Sequence, residues 1–343
     1  MERKISSVQF ALLLFLCSLA SLLISSGSFA AMAAFLPAMV LVWAALVPAF
    51  LLGRQQGFLP ALSAWGKGAV IPAALLLVIV CLFMAAQELR VYGFFLTSTV
   101  YPKAQMGIFL IGTGIACAYA AGMGLEPLAR LGLWASVFAA IAFMALALGL
   151  MPSVKNMPVL HIPSQQEMPV FFQKALGLAC ASGEALLFLI LAPRARSRRK
   201  QGRKGVFLWL SLAVIAAIFT GLLSEAALGD YRETRRFPLH TAAAAAHFSP
   251  QGRMDLLFLF LYTGAVFVKI SLWLYGGCLA LRYLFPRMRR GVLAFLCGAG
   301  AVMFGFLPFT QTITSFLLSG WMLAFVFIAP LIPLLFSRKG GNQ

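Results

Sequence analysis

Of the 343 residues, 62% are hydrophobic and only 10% are charged, and the mean hydropathy is +0.94. A soluble domain would carry charge at about twice that fraction, which excludes an ordinary water-soluble enzyme or binding module. The formal net charge of +18 sits in connections beside apolar runs, with no aromatic-interleaved basic domain around it, so a nucleic-acid partner is excluded as well.

In chain order, the N-terminus MERKISSVQFALLLFLCSLASLLISSGSFAAMAA has the basic start and apolar run of a signal peptide. The apolar character resumes at once in FLPAMVLVWAALVPAFLL, and the expectation is a retained first span followed by a tight turn. Apolar runs of bilayer-crossing length, roughly 20 residues each, predict ten helical spans. They fall near 8–28, 32–52, 68–88, 104–122, 128–149, 169–192, 206–226, 255–284, 291–308 and 313–336. The chain is expected to form one transmembrane domain over residues 1–343, with repeat one over about 1–150 and repeat two over about 165–338.

Between the fifth and sixth spans lies the proline-rich MPSVKNMPVLHIPSQQEM. The longest connection, EAALGDYRETRRFPLHTAAAAAHFSPQGRM, holds five consecutive alanines expected to form a short helix at the surface. The six cysteines all fall inside apolar runs without metal-ligand spacing and read as small packing residues. His161, His240 and His247 lie in polar connections, with no HExxH, phosphate loop or Ser/His/Asp constellation. No catalytic residue, metal ligand or cofactor is assigned.

Lysine and arginine accumulate on the cytoplasmic side of short loops. With the N-terminus inside, the block from Arg194 to Lys204 and the basic residues near both termini all fall inside, so both termini are expected to be cytoplasmic. The block itself reads as a topogenic anchor meeting anionic lipid head groups, or as a dock for a cytoplasmic partner.

Few charges lie within spans. In GLEPLAR, Glu126 and Arg130 are four apart and predict an ion pair on one helix face. Glu88 and Arg90 are expected at the membrane interface, in reach of water or head groups. Glu184 in the sixth span and Lys269 near the middle of the eighth cannot easily snorkel. A carboxylate at a span centre costs about 2.5–3.5 kcal/mol on insertion scales, so such a group faces a cavity or a partner. Ala181, Ser182 and Gly183 before Glu184 suit a locally unwound segment, and Ser25, Ser26, Gly27 and Ser28 interrupt the first span in the same way. Paired interruptions in the opening helix of each half point to inverted repeats whose broken helices cross at a midplane site; close helix packing through small residues explains them equally well.

KISSVQFALLLF, YAAGMGLEPLARLG, SGEALLFLILAP with its basic loop, and FPLHTAAAAAHFSPQGRMDLLFLFLYTGAVFVKISLWLY stand in order along the chain. Over nearly its whole length the sequence resembles the B subunits of spore germinant receptors, the spore germination permease family of the amino acid, polyamine and organocation transporter superfamily. The resemblance implies an all-α polytopic membrane protein of about ten transmembrane helices in two inverted five-helix repeats, with helices 1 and 6 broken. It implies an integral membrane subunit that senses amino acids or similar small germinants from the cell membrane, the inner spore membrane, beside an A-type membrane subunit and a C-type lipoprotein. Carried onto this chain, the ligand pocket comprises Ser26, Gly27, Phe83, Gly183, Glu184, Ser271 and Tyr275. Where the family often shows a proline-glycine and then an acid-tryptophan pair, this chain has SSGSFAAMAAFLPA. Sodium-coupled relatives of this fold hold a cation between the first and eighth spans, and the Lys269 ammonium is expected to take a comparable place. The alternatives are a proton-coupled amino acid transporter with Glu184 as proton carrier, and a scaffold whose pocket is vestigial.

Overall fold

The computed structural model describes residues 5–24, 34–52, 58–59, 67–151, 168–196, 199–246, 254–308, 310, 312–313 and 321–337. Apolar runs become α1 (Ser7–Ile24), α2 (Phe35–Leu52, with Pro48 inside), α3 (Lys67–Phe95, with Pro72 inside and a π-helical turn over Leu96–Val100), α4 (Met106–Met123) and α5 (Leu125–Leu150). The second half comprises α6 (Met168–Ala181), α7 (Glu184–Leu191), α8 (Arg199–Leu228), the short α9 (Pro238–Ala245), α10 (Asp255–Leu284), α11 (Arg290–Phe306) and α12 (Trp321–Ser337). Among the described residues, seven spans are long and apolar enough to cross a membrane, α6 and α7 counting as one; the shorter α2, α11 and α12 bring the total to ten.

Helices at equivalent positions in the two halves pack on each other: α3 lies along α10, and α4 along α11. The contact of α1 with α8 is mirrored by that of α2 with α6. α1 is almost wholly enclosed, with Leu13, Leu14, Leu16, Cys17, Leu19, Ala20 and Leu23 all buried. Apolar burial against lipid-like neighbours supplies little drive of its own inside a bilayer, so close backbone approach does the packing. A methyl group added at Gly298 of α11 would stand 2.6 Å from the Ala118 Cβ of α4, and one at Gly132 of α5 would stand 2.6 Å from Leu13 of α1. The Trp209 indole of α8 donates to Ser18 Oγ of α1 at 3.0 Å, fixing the register of that pair.

Three elements differ from the sequence expectation. α8 starts at Arg199, inside the basic block, rather than near 206; lysine and arginine are good helix formers and extend the helix beyond its apolar part. Just before it, Ala195–Arg196 pairs in parallel with Ile5–Ser6, so the block is strapped to the N-terminal segment as well as standing between spans. The alanine run does form a helix, but α9 is not merely superficial: Leu239, Ala242 and Ala243 are buried against the bundle.

Candidate functional site

The sixth span is interrupted where Ser182 and Gly183 part α6 from α7. Backbone bonds there shorten to a three-residue span, Ser182 N–H to the Ala179 carbonyl at 3.2 Å and Leu186 N–H to the Gly183 carbonyl at 3.0 Å. The Ser182 hydroxyl donates to the Leu178 carbonyl at 3.0 Å, competing locally with the helix ladder. Glu184 thereby opens α7, where a carboxylate complements the helix dipole. The matching interruption expected at Ser25–Ser28, including Ser26 and Gly27, lies outside the described residues.

Glu184 meets Lys269. The ammonium lies 3.3 Å from Glu184 Oε1 and 2.6 Å from Glu88 Oε1 of α3, and donates to Ser21 Oγ of α1. Side-chain exposure is 3% for Lys269, 5% for Glu184 and 15% for Glu88. Four elements thus converge on one nitrogen. Ser21 is exposed although the residues around it on α1 are buried, so open space adjoins the cluster there. Cys17, one turn earlier, is within electrostatic reach of all three charges.

Glu88 is the residue that sequence reasoning misplaced. It does not lie at the interface in reach of head groups, because α3 continues unbroken through Phe95 and a π turn beyond, which draws Glu88 inward against α10. Arg90, its expected companion, instead donates to the Leu307 carbonyl at 2.6 Å, past the C-terminal end of α11. The spacing of an unpaired acid seven residues after buried Cys81, on the stripe that meets α10, is the signal that could have found Glu88. Glu126 and Arg130 form the expected helix pair at 2.8 Å.

The other predicted residues are placed apart from the charges. Phe83 stacks on Phe304 of α11 with ring centroids 4.7 Å apart. Ser271 is fully buried and, two residues after Lys269, lies on the opposite face of α10, beside Cys117 of α4. Tyr275, also fully buried, is six residues after Lys269, about 9 Å along the helix, within electrostatic reach of Arg194 at the end of the sixth span.

Beyond Glu88 an aromatic plug closes the bundle. Tyr92 shares a hydrogen bond with Thr263 at 3.1 Å and packs 5.8 Å from Tyr262. Phe95 meets Tyr262, Phe237 and His240 edge-on at 4.9, 5.2 and 5.4 Å. Arg236 lies 4.0 Å over the Phe94 ring. α9 covers this cluster as a lid. Burial holds the His240 imidazole of the lid below its ordinary range, partly opposed by Asp255. Below the ordinary value near 6.5 the unfolded segment therefore binds a proton that the packed lid resists, so lid stability is unchanged at higher pH and falls as pH drops. Protection factors of the α9 amides, taken relative to the intrinsic exchange rate at each pH, are expected to fall between about pH 7 and pH 5 in the wild type and to stay level in His240→Phe.

A ten-span bundle with a broken sixth helix and a buried charged cluster has the fold of the transporters built from two inverted repeats. Three solved structures share the fold. MhsT in complex with L-phenylalanine aligns with a TM-score of 0.69 at 15% identity, covering 96% of this chain and 89% of that one. The Eremococcus coleocola manganese transporter, in a mutant form, gives 0.61 at 13% identity over 96% and 78%. The nucleobase-cation-symport-1 transporter Mhp1, closed on bromovinylhydantoin, gives 0.58 at 15% identity over 95% and 79%. No curated protein sequence matches the chain. Residues 4–314 match the spore germination protein family, and the chain is a member of it.

Proposed function

We propose that this protein is the integral membrane subunit of a spore germinant receptor, sensing an amino acid or similar small nutrient at the midplane and triggering germination. The observation that carries the reading is the buried Glu88–Lys269–Glu184 cluster at the break of the sixth span, in a chain of the spore germination protein family. Ligand binding between the repeats shifts the balance of two packings and passes that shift to an A-type membrane subunit and a C-type lipoprotein. Ser26, Gly27, Gly183 and Glu184 would receive the ligand from the two broken helices. Phe83, Ser271 and Tyr275 would support the surrounding helices, and Lys269 would hold the place of a coupling cation. The protein would reside in the inner spore membrane with both termini cytoplasmic, α9 then lying on the outer side. That L-phenylalanine is bound by the structurally similar MhsT supports an amino acid as the ligand class.

In a deletion strain, wild type is expected to restore nutrient-triggered germination and Glu184→Gln to lose it at least tenfold in nutrient concentration. Germination unchanged by the deletion would overturn the receptor reading. A second reading, proton-coupled amino acid transport through Glu184, is favoured by the transporter fold of the three structural neighbours. Uptake of labelled amino acids into liposomes holding the chain alone separates the two, since concentrative uptake belongs to the transporter only.

A further inference from the structure

The groups facing Lys269 are Cys17 and Ser21 from α1, Glu88 from α3 and Glu184 from α7; Tyr262 of α10, seven residues before Lys269, lies within electrostatic reach of Glu88. Two carboxylates and one ammonium are the charged groups among them. Residues 25–33, which follow α1, contain no Asp, Glu, Lys or Arg. Among the described residues, two carboxylates thus face a single ammonium, and a buried carboxylate without a cationic partner is strongly unfavourable. The sharing is unequal, with 2.6 Å to Glu88 and 3.3 Å to Glu184. Glu184 is also the residue at the helix break, and the open space beside Ser21 lies next to the shared ammonium.

We propose that Glu184 is the receptor for the primary ammonium group of the ligand, and that Glu88 is a positioning residue whose tighter hold on Lys269 keeps Glu184 available. This rests on the receptor reading of the same site and specifies its chemistry. A cation entering beside Ser21 completes the charge balance by pairing with Glu184, while Lys269 remains on Glu88. When the ligand also bears a carboxylate, Lys269 is the cation placed to receive it. The ammonium can come from an amino acid or from an amine without a carboxylate.

Calorimetry on the full chain in lipid nanodiscs tests this, with the proteinogenic L-amino acids, their amides, which keep the ammonium alone, and their deaminated acids, which keep the carboxylate alone. Amino acids or amides are expected to bind and deaminated acids not to. Tighter binding of amides assigns the ammonium to an amine; tighter binding of amino acids assigns it to a zwitterion with its carboxylate on Lys269. Glu184→Gln should weaken amide binding about ten- to a hundredfold. Glu88→Gln should weaken it too, because Lys269 then turns to Glu184. In Glu88→Gln/Lys269→Met, Glu184 stands alone, and amide affinity should return to near the wild-type value, a rescue that a merely structural role of Glu88 does not produce. The proposal is overturned if nothing in the panel binds, if deaminated acids bind as tightly as amides, if Glu184→Gln stays within twofold of wild type, or if the double variant remains as weak as Glu88→Gln. Germination of the deletion strain reports separately on the receptor reading, which can fail while the ammonium site stands.

Discussion

Lys269→Met is expected to lower the thermal midpoint of the purified protein more than any other single substitution in the bundle. It strands Glu88 and Glu184 together without a counter-ion, and removing one partner of a buried ion pair costs about 3–5 kcal/mol. Loss of the hydrogen bond to Ser21 adds a smaller amount. Replacing the whole cluster with neutral groups, Glu88→Gln/Glu184→Gln/Lys269→Met, should recover most of the loss, because a buried ionic group exchanged in full for neutral residues of similar volume is often tolerated. Sodium should raise the midpoint of Lys269→Met, whose two bare carboxylates would hold a cation, by more than that of the wild type, where Lys269 already meets Glu88. A midpoint of Lys269→Met equal to wild type would show that the cluster is not energetically coupled. A sodium response in the wild type as large as that of Lys269→Met would show that Lys269 does not hold the cation's place.

Phe95→Ala should open the lid. Phe95 is fully buried at the centre of the plug, with Phe237 and His240 from the lid side and Tyr262 and Phe258 from α10 around it. Truncating a buried phenylalanine to alanine costs about 3–5 kcal/mol, and each aromatic pair lost carries about 0.5–1.5 kcal/mol of that. The loss should be local: amide exchange over α9 accelerates, while α4 and α11, which pack on each other, keep their protection. Phe95→Leu, nearer in volume, should cost less than about 1.5 kcal/mol. If α9 exchanges no faster in Phe95→Ala, the plug does not hold the lid.

The two predictions rest on features of unequal legibility. Lys269 and Glu184 stand out in the sequence because each interrupts an apolar run with a charge that must find a partner. Ser182 and Gly183 announce the break in the sixth span through their small size and their competition for backbone bonds. Glu88 does not stand out, since it lies near the end of the predicted third span, where a charge ordinarily reaches water. The α9 lid is half-legible: proline and alanines predict a helix, but its burial depends on Phe95 and Phe258, contributed by α3 and α10.

What the sequence determined by itself is the solvent of the protein, the number and approximate bounds of its spans, the helix break before Glu184 and the presence of costly charges within helices. Hydrophobicity and backbone preference act residue by residue along the chain, so composition and periodicity report them directly. Tertiary structure alone decided that Glu88, and not a head group or water, shares the Lys269 ammonium with Glu184, and that Ser271 faces away from it. A pairing of charges depends on which faces of α3, α7 and α10 are turned toward one another, and Coulomb energy falls with distance in space, which is blind to separation along the chain.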